Sequence, residues 1–505
     1  MTKPLFAAGA DWNFDLIKAV DAECAEIAFK ELGLDIYKNQ IEIIGSDQML
    51  DAYSSVGLPI MYDHWSFGKR HLQDEYSYRK GLSGLAYEIV INSDPCISYL
   101  MEENSMTMQS LVIAHACYGH NHFFKNNYLF KQWTSADSIV DYLIFAKDYI
   151  SKMEDEHGPG PVQDVLDAAH AIQSYGVDRY QRPDKLNKHD EKLRQKERSE
   201  YLQQQVNRIW STLPESATTK KANNNIDEGR MKKIPSEPQE NLLYFIEKHS
   251  PVLEPWEREI VRIVRKMAQY FYPQRQTKLM NEGFASFTHY YIMYRMWEKG
   301  LITEGSMLEF LGSHAGVLTQ FPYDHKHYSG YNPYALGFDM FTDIRRICEK
   351  PDAEDKEMFP HIAGENWKEV ILDAVANYRD ESFVMQFLSP KIVSKWQLFK
   401  VDDKQGSDKH NVNAIQNRSH FNDIRSGLSN QYSMSQYHPD IEVVNANIHG
   451  SRTLELKHTP VNGEKLDDKT KDAVLTYMEF LWGYSVEFEK DRISLNDFYG
   501  DVAGC

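Results

Sequence analysis

The 505-residue chain is poor in cysteine, has no long apolar run and carries no surplus of positive charge. Each shortage closes off a class of function. The five cysteines, Cys24, Cys96, Cys117, Cys348 and Cys505, are odd in number and widely scattered, which is the usage of a reduced compartment rather than of a disulfide framework. Nowhere do about eighteen uncharged apolar residues run together, so no membrane span is expected. With 56 basic against 74 acidic residues the formal net charge is −18. That argues against nucleic acid or an anionic membrane as a general partner, because both select a positive face. The opening residues lack an apolar core flanked by basic residues and a small-residue cleavage site, so a cytoplasmic location is the expectation.

What is present is the composition of a globular protein, 42% apolar and 26% charged, in a chain long enough for roughly two to four domains. Apolar residues at helical spacing predict a helix over 11–33 that stops near Gly33, and others near 46–56 and 66–80. "LAYEIVINS" (85–93) reads as a strand closed by a Ser-Asp-Pro turn. A helix is expected over about 106–120 and another over 136–153. From 181 to 238 the chain becomes charged and polar, as in a linker or insertion. Pro255 then opens a helix with Ile260, Val264, Met267 and Phe271 on one face, and Pro273 is expected to end it. The following helix, about 275–299, is apolar on nearly every face over 284–297 and should lie deep in a core. Residues 401–505 predict two strands around His449-Gly450, then a helix and a strand. The expected fold is α+β and predominantly α-helical. A two-part core is formed by 1–180, carrying the histidine-rich helix, and by the helical 239–400; 181–238 links them, and 401–505 is a small C-terminal α/β domain.

Chemistry concentrates in "IAHACYGHNHFFKNN" (113–127), where His115, His120 and His122 fall within eight positions. His115 and His120 are five apart, which in a regular α-helix splays them by about 140°. Both can reach one metal only if the helix bulges by a residue or ends between them, and Gly119 is the natural place. Glu282, in the middle of the most apolar helix, is costly to bury unless paired or metal-bound. His289, seven residues on, returns to nearly the same face. His115, His120, Glu282 and His289 are therefore candidate ligands for zinc or another divalent transition metal. The bland alternatives are hydrogen-bonded core histidines and, for Glu282, a salt bridge to Arg262, Arg265 or Arg275. Cys117 is a packing residue or a thiol nucleophile. His122 is expected on the surface or in a pocket; His64 could enter the site, although a cap for the following helix needs only Ser66. "QFPYDHKHYSGYNPYALGF" (320–338) gathers His325, His327, Tyr328, Tyr331 and Tyr334 in a turn-rich loop. Such a loop could cover a pocket and steady an oxyanion, with His327 and Tyr331 as the candidates.

Two resemblances bear on these residues. Asn281 to Ala285, "NEGFA", resembles the second zinc-binding segment of gluzincin metallopeptidases. His115-Ala-Cys-Tyr-Gly-His120 lines up with the His-Glu-x-x-Gly-His motif of the branch that includes dipeptidyl peptidase III. The resemblance implies His115, His120 and Glu282 as zinc ligands, a gluzincin-like core, and a strand at 87–92 like the edge strand that receives an extended peptide. It departs at Ala116, where those enzymes carry the general-base glutamate. Glu102, Glu103, Glu88 and His122 are the available substitutes, and Glu103 is carried forward as the catalytic candidate.

The second resemblance covers nearly the whole chain. "YDHWSFGKR", "AYEIVINSDPCISYLMEENSMTMQSLVIAHACYGHNHFFKNNYLF", "PWEREIVRIVRKMAQYFYPQRQT", "NEGFASFTHYY" and "YNPYALGF" resemble the bacterial stage V sporulation protein R (SpoVR) family. That family implies a link to spore cortex formation or to stationary-phase stress physiology, and an association with a PrkA-type serine protein kinase. Two readings stay open. One is a zinc-dependent hydrolase of peptide or peptidoglycan-related amides that lacks the usual base. The other is a non-catalytic regulatory protein that keeps a metal or peptide site and acts with the kinase.

Overall fold

The computed structural model describes residues 3–54, 61–66, 69, 88–180, 235, 237–322, 325–326, 328–398, 400–402, 411–413, 418–434, 438–448, 450–460 and 465–489. The helix expected over 66–80 and most of the charged stretch 181–238 lie outside the described residues. The chain divides into two units, one of residues 1–166 and 266–438, the other of 167–265 and 439–505. It is predominantly helical with small mixed sheets, an α+β architecture.

In the first unit, helix α1 (Phe14–Ile27) is capped by Asn13, whose side chain accepts from the Leu16 N–H. It continues as a π-turn over Ala28–Leu32 and stops at Gly33, whose φ of 72° suits a residue without Cβ. Three strands follow: β1 (Asn39–Ile44), β2 (Glu88–Ile91) and β3 (Cys96–Met101). They lie in the order β1-β3-β2, with β1 parallel and β2 antiparallel to the central strand. Strand β2 buries Ile89 and Ile91 and turns Glu88 and Val90 to the opposite face, the period-two alternation of a pleated strand.

Next comes α2 (Met106–Val112), whose N-cap Ser105 accepts from the Met108 N–H. Where an α-helix with one bulge was expected, the whole of Ile113–His120 is π-helical, and every residue in it is buried. Beside it, after α3 (Pro255–Gln276) in the chain, lies α4 (Lys278–Glu298), against which α5 (Glu304–Val317) and α6 (Pro333–Glu349) pack. Pro273 does not end α3 as the sequence suggested; the helix runs on to Gln276. An internal proline forfeits one backbone donor and crowds the preceding turn. Here that loss falls in the last turn, beside the buried Tyr270 and Tyr272.

Glycines set how closely α4 is approached. A Cβ on Gly119 would stand 2.6 Å from Ala285 Cα, and one on Gly283 would stand 2.4 Å from Gly337 Cα. The π-helical segment and α6 thus both lie against α4 at a distance that only glycine permits. This explains Gly119 by close packing rather than by a helix end.

The second unit contains the antiparallel pair Asp440–Ala446 and Leu454–Thr459, with Val486–Phe488 parallel to the latter. Helix Asp468–Trp482 precedes the last strand and ends at Gly483, φ 80°. From residue 439 on, the strand, strand, helix, strand order read from the sequence is the order found; residues 400–431 add two short strands and a helix that the sequence reading did not contain. Among the described residues no helix is long and apolar enough to cross a membrane.

Candidate metal and active site

The π-winding answers the spacing problem of the two histidines. With i→i+5 hydrogen bonding, residues five apart come to lie on one face. The rings of His115 and His120 stand 4.6 Å apart, centroid to centroid. Their Nε2 atoms meet two carboxylates that come from different directions. Glu88 Oε1, from β2, is 3.3 Å from His115 Nε2 and 3.8 Å from His120 Nε2. Glu282 Oε2, from α4, is 3.9 and 3.4 Å from the same two atoms. Donors about 2.0–2.1 Å from a tetrahedral ion stand roughly 3.3 Å apart, close to these separations. Glu88, His115 and His120 place one ligand atom each within 4.8 Å of the others, a group that could hold a metal ion.

The hydrogen bonds behind the histidines leave both Nε2 lone pairs for the site. Asn281 Oδ1 accepts from His120 Nδ1 at 2.9 Å. His115 Nδ1 lies 2.8 Å from His289 Nδ1, and His289 Nε2 lies 2.7 Å from His314 Nδ1; with His115 protonated at Nδ1, as a ligating Nε2 requires, the donors run from His115 through His289 to His314. Such partners on the far nitrogen fix ring and tautomer in metal-binding histidines. His289, expected as a ligand, has both nitrogens occupied in this chain and stands behind His115 rather than in the cluster. Burial pushes His115 and His314 down to about 4, and His289 well below its ordinary value, so all three imidazoles are neutral at pH 7.

The carboxylates are not equivalent. Burial, reinforced by the charge of Glu282, pushes Glu88 well above the usual carboxylate range. Burial would raise Glu282 too, but His115, His120 and a hydrogen bond from Tyr334 outweigh it and hold it below that range. Oε2 of each has no hydrogen-bond partner among the described residues. Unpaired carboxylate oxygens in a buried site are expensive, and a cation is the natural remedy. Arg262 and Arg265, the salt-bridge partners weighed for Glu282, both bind Glu247 instead. The four donors lie on the wall of a cavity of about 720 Å³, which Tyr334, Phe124, Tyr270 and Arg275 also line. Tyr334 lies nearly parallel to the His115 ring, and Phe124 to that of His120.

The other sequence candidates take other places. Glu103 is exposed, accepts from the backbone N–H of Ser46 and does not line the cavity. Tyr331 packs its ring edge-on against Trp396 and bonds Tyr328. Tyr334, three residues on, is the tyrosine at the site. His327 lies outside the described residues. Cys117 is buried beside Ser98, and burial pushes its thiol far up, so it is a packing residue rather than a thiolate.

His122, expected on the surface or in a pocket, is buried, its Nδ1 2.9 Å from both the N and the O of Asp35. Burial pushes it down to about 4. A base depressed in the folded state binds fewer protons there than when unfolded, so its contribution to stability is lost as pH falls from about 6.5 to about 4. Between pH 6.5 and 5 that loss is expected to reach about 2 kcal/mol, and denaturant titrations of the parent and His122→Gln should show a shallower pH slope in the variant.

Comparison with known proteins follows this geometry. The family model described as "SpoVR like protein" matches residues 11–437. The chain belongs to the SpoVR family. A second SpoVR family model, the "SpoVR-like C-terminal domain", matches residues 439–492. A relative from Escherichia coli (strain K12), printed as "Uncharacterized protein YcgB", is 53% identical over 487 residues, covering 96% of this chain and 93% of the relative. No solved structure matches.

Proposed function

We propose that this SpoVR protein is a metal-dependent hydrolase of amide bonds. His115, His120 and Glu282 would hold the ion, and Glu88 would be the proton-handling carboxylate. The observation that carries this reading is the convergence of two oriented imidazoles and two unsatisfied carboxylates on the wall of one cavity. Two imidazoles and a carboxylate suit zinc, and a divalent ion there supplies Lewis acidity for a carbonyl and for water. Ala116 cannot act as a base. Glu88 reaches the same place from the strand, with an oxygen 3.3 Å from His115 Nε2 and a raised proton affinity. It is placed to accept a proton from an attacking water at Oε1 and to return it to the leaving amine. Tyr334, bonded to Glu282 and stacked on His115, orients both and can donate to a developing oxyanion. A peptide or peptidoglycan-related amide is the substrate class, in a cell-wall or stationary-phase setting.

Ala116 favours a second reading, a regulatory protein that binds metal or peptide without turnover and acts with a serine protein kinase. The deciding experiment is metal content by mass spectrometry on untagged protein, with amide hydrolysis assayed in the same preparations. The hydrolase reading expects near-stoichiometric metal and turnover in the parent. Glu282→Gln should lose both, and Glu88→Gln should keep metal while losing turnover. No metal after anaerobic reconstitution overturns it. Metal without turnover across the amide panel leaves the regulatory reading.

A further inference from the structure

The same cavity has a second, oppositely charged end. Arg275, at the end of α3, and Lys278, which opens α4, both line it. Both are exposed, and neither side chain has a counter-ion or hydrogen-bond partner among the described residues. That is notable in a chain with 74 acidic residues to 56 basic, where carboxylates are plentiful. By contrast, Arg346 holds Asp343 and Asp355, and Arg295 holds Glu31. The surroundings of Arg275 already strip enough water to lower its pKa from the ordinary value. A guanidinium at a cavity wall that none of the described residues pairs with is a donor set that fits an anion.

Charge balance gives the same direction. Among the described residues, Glu88 and Glu282 are the only acidic ones lining the cavity. A divalent ion held by His115, His120 and Glu282 would offset the carboxylate charge at that end, leaving the two cations Arg275 and Lys278 unbalanced at the other. Lys278 stands four residues before Glu282 on the same face of α4, one helical turn or about 6 Å along the axis. The backbone N–H groups of Leu279 and Met280 at that helix start are taken by Asp380, so the free donors there are the two side chains.

We infer that Arg275 and Lys278 form an anion subsite, and that the ligand of this cavity is a peptide carrying a carboxylate about one helical turn from the amide held at the metal end. The inference deepens the hydrolase reading and rests on it for the amide. The carboxylate selectivity is a matter of binding alone. Arg275 supplies the paired N–H geometry that a carboxylate fits, and Lys278 adds a point charge beside it.

The test uses full-length, metal-loaded protein and two matched probes, N-acetyl-trialanine and its C-terminal amide, titrated by calorimetry. The carboxylate form is expected to bind about tenfold more tightly, as one charge-assisted contact would give. In Arg275→Gln/Lys278→Gln that preference should collapse toward unity with metal content unchanged; Arg275→Lys should retain part of it. Equal affinities for the two probes in the parent overturn the inference, as does a preference that survives in the double variant. Inorganic phosphate that binds more tightly than the tripeptide carboxylate, and loses that binding in the double variant, overturns the assignment to a peptide carboxylate. Absence of turnover with the carboxylate preference intact counts against the hydrolase reading and not against the subsite.

Discussion

His120→Gln is expected to lower metal affinity more than about 100-fold, because changes in the partners behind a ligating histidine already cost about 10–100-fold and this change removes the ligand itself. The other groups should follow in a graded order. Asn281→Ala frees His120 Nδ1 from its acceptor and leaves the ring able to turn, so a loss of about 10–100-fold is expected. His314→Phe keeps the aromatic packing against Phe310 and Phe338 but deletes the acceptor of His289, two hydrogen bonds away from the nearest ligand. Its effect should be smaller than that of Asn281→Ala. Competition titrations with a chelating dye measure all three, and circular dichroism reports whether each variant is folded. A flat series, with His314→Phe equal to His120→Gln, would mean that general destabilisation and not ligation is being read.

Much of this site was legible from residue type and spacing, and the missing parts have identifiable causes. A five-residue histidine spacing next to glycine does imply a departure from α-geometry, and the π-helical Ile113–His120 is that departure. Glu282 stood out because a carboxylate in an apolar helix has few stable states. Glu88 was visible only as a polar residue on a strand, and its role depends on which face of β2 turns toward the histidines, a fact of sheet order and register. His314 lies on a different helix from every motif, and only the packing of α5 against α4 brings it to His289. The choice between Tyr331 and Tyr334 turns on the start of α6 at Pro333, since the residue inside the helix, not the one in the loop before it, is aimed at the cavity. Pro273 misled because an internal proline forfeits one ladder hydrogen bond without obliging the chain to leave the helix, and tertiary packing can override that local cost. At the level of fold, the apolar composition of α4 marked it as a core helix, and over Gly283–His289 it is buried on every face; further on, Tyr294 is exposed and Tyr290, Tyr291 and Trp297 are only half-buried.

Gly119→Ala is expected to have a large effect although it touches no polar group. The added Cβ would lie 2.6 Å from Ala285 Cα and 2.8 Å from Ala285 Cβ, and the first of these atoms is backbone. The π-helical segment and α4 must then move apart. Overpacking of this kind costs about 1–3 kcal/mol, less any helix-propensity gain from replacing glycine. Because Ala285 is three residues from Glu282, the same displacement opens the distance between the histidine pair and its carboxylate. Metal affinity should therefore fall together with thermal stability, although no ligand is altered. Ala285→Gly in the same chain removes the Cβ contact but not the one to Cα, so it should rescue only in part. Gly312→Ala is the matched control: it lies on α5, and an added Cβ meets nothing within 4 Å. It should stabilise the protein by about 0.5–1 kcal/mol and leave the metal titration unchanged. Thermal unfolding and dye competition on the four proteins separate the alternatives. A Gly119→Ala variant as stable as the parent would show that α4 does not need this close approach, while a variant that loses stability yet binds metal normally would uncouple the packing of α4 from the geometry of the site.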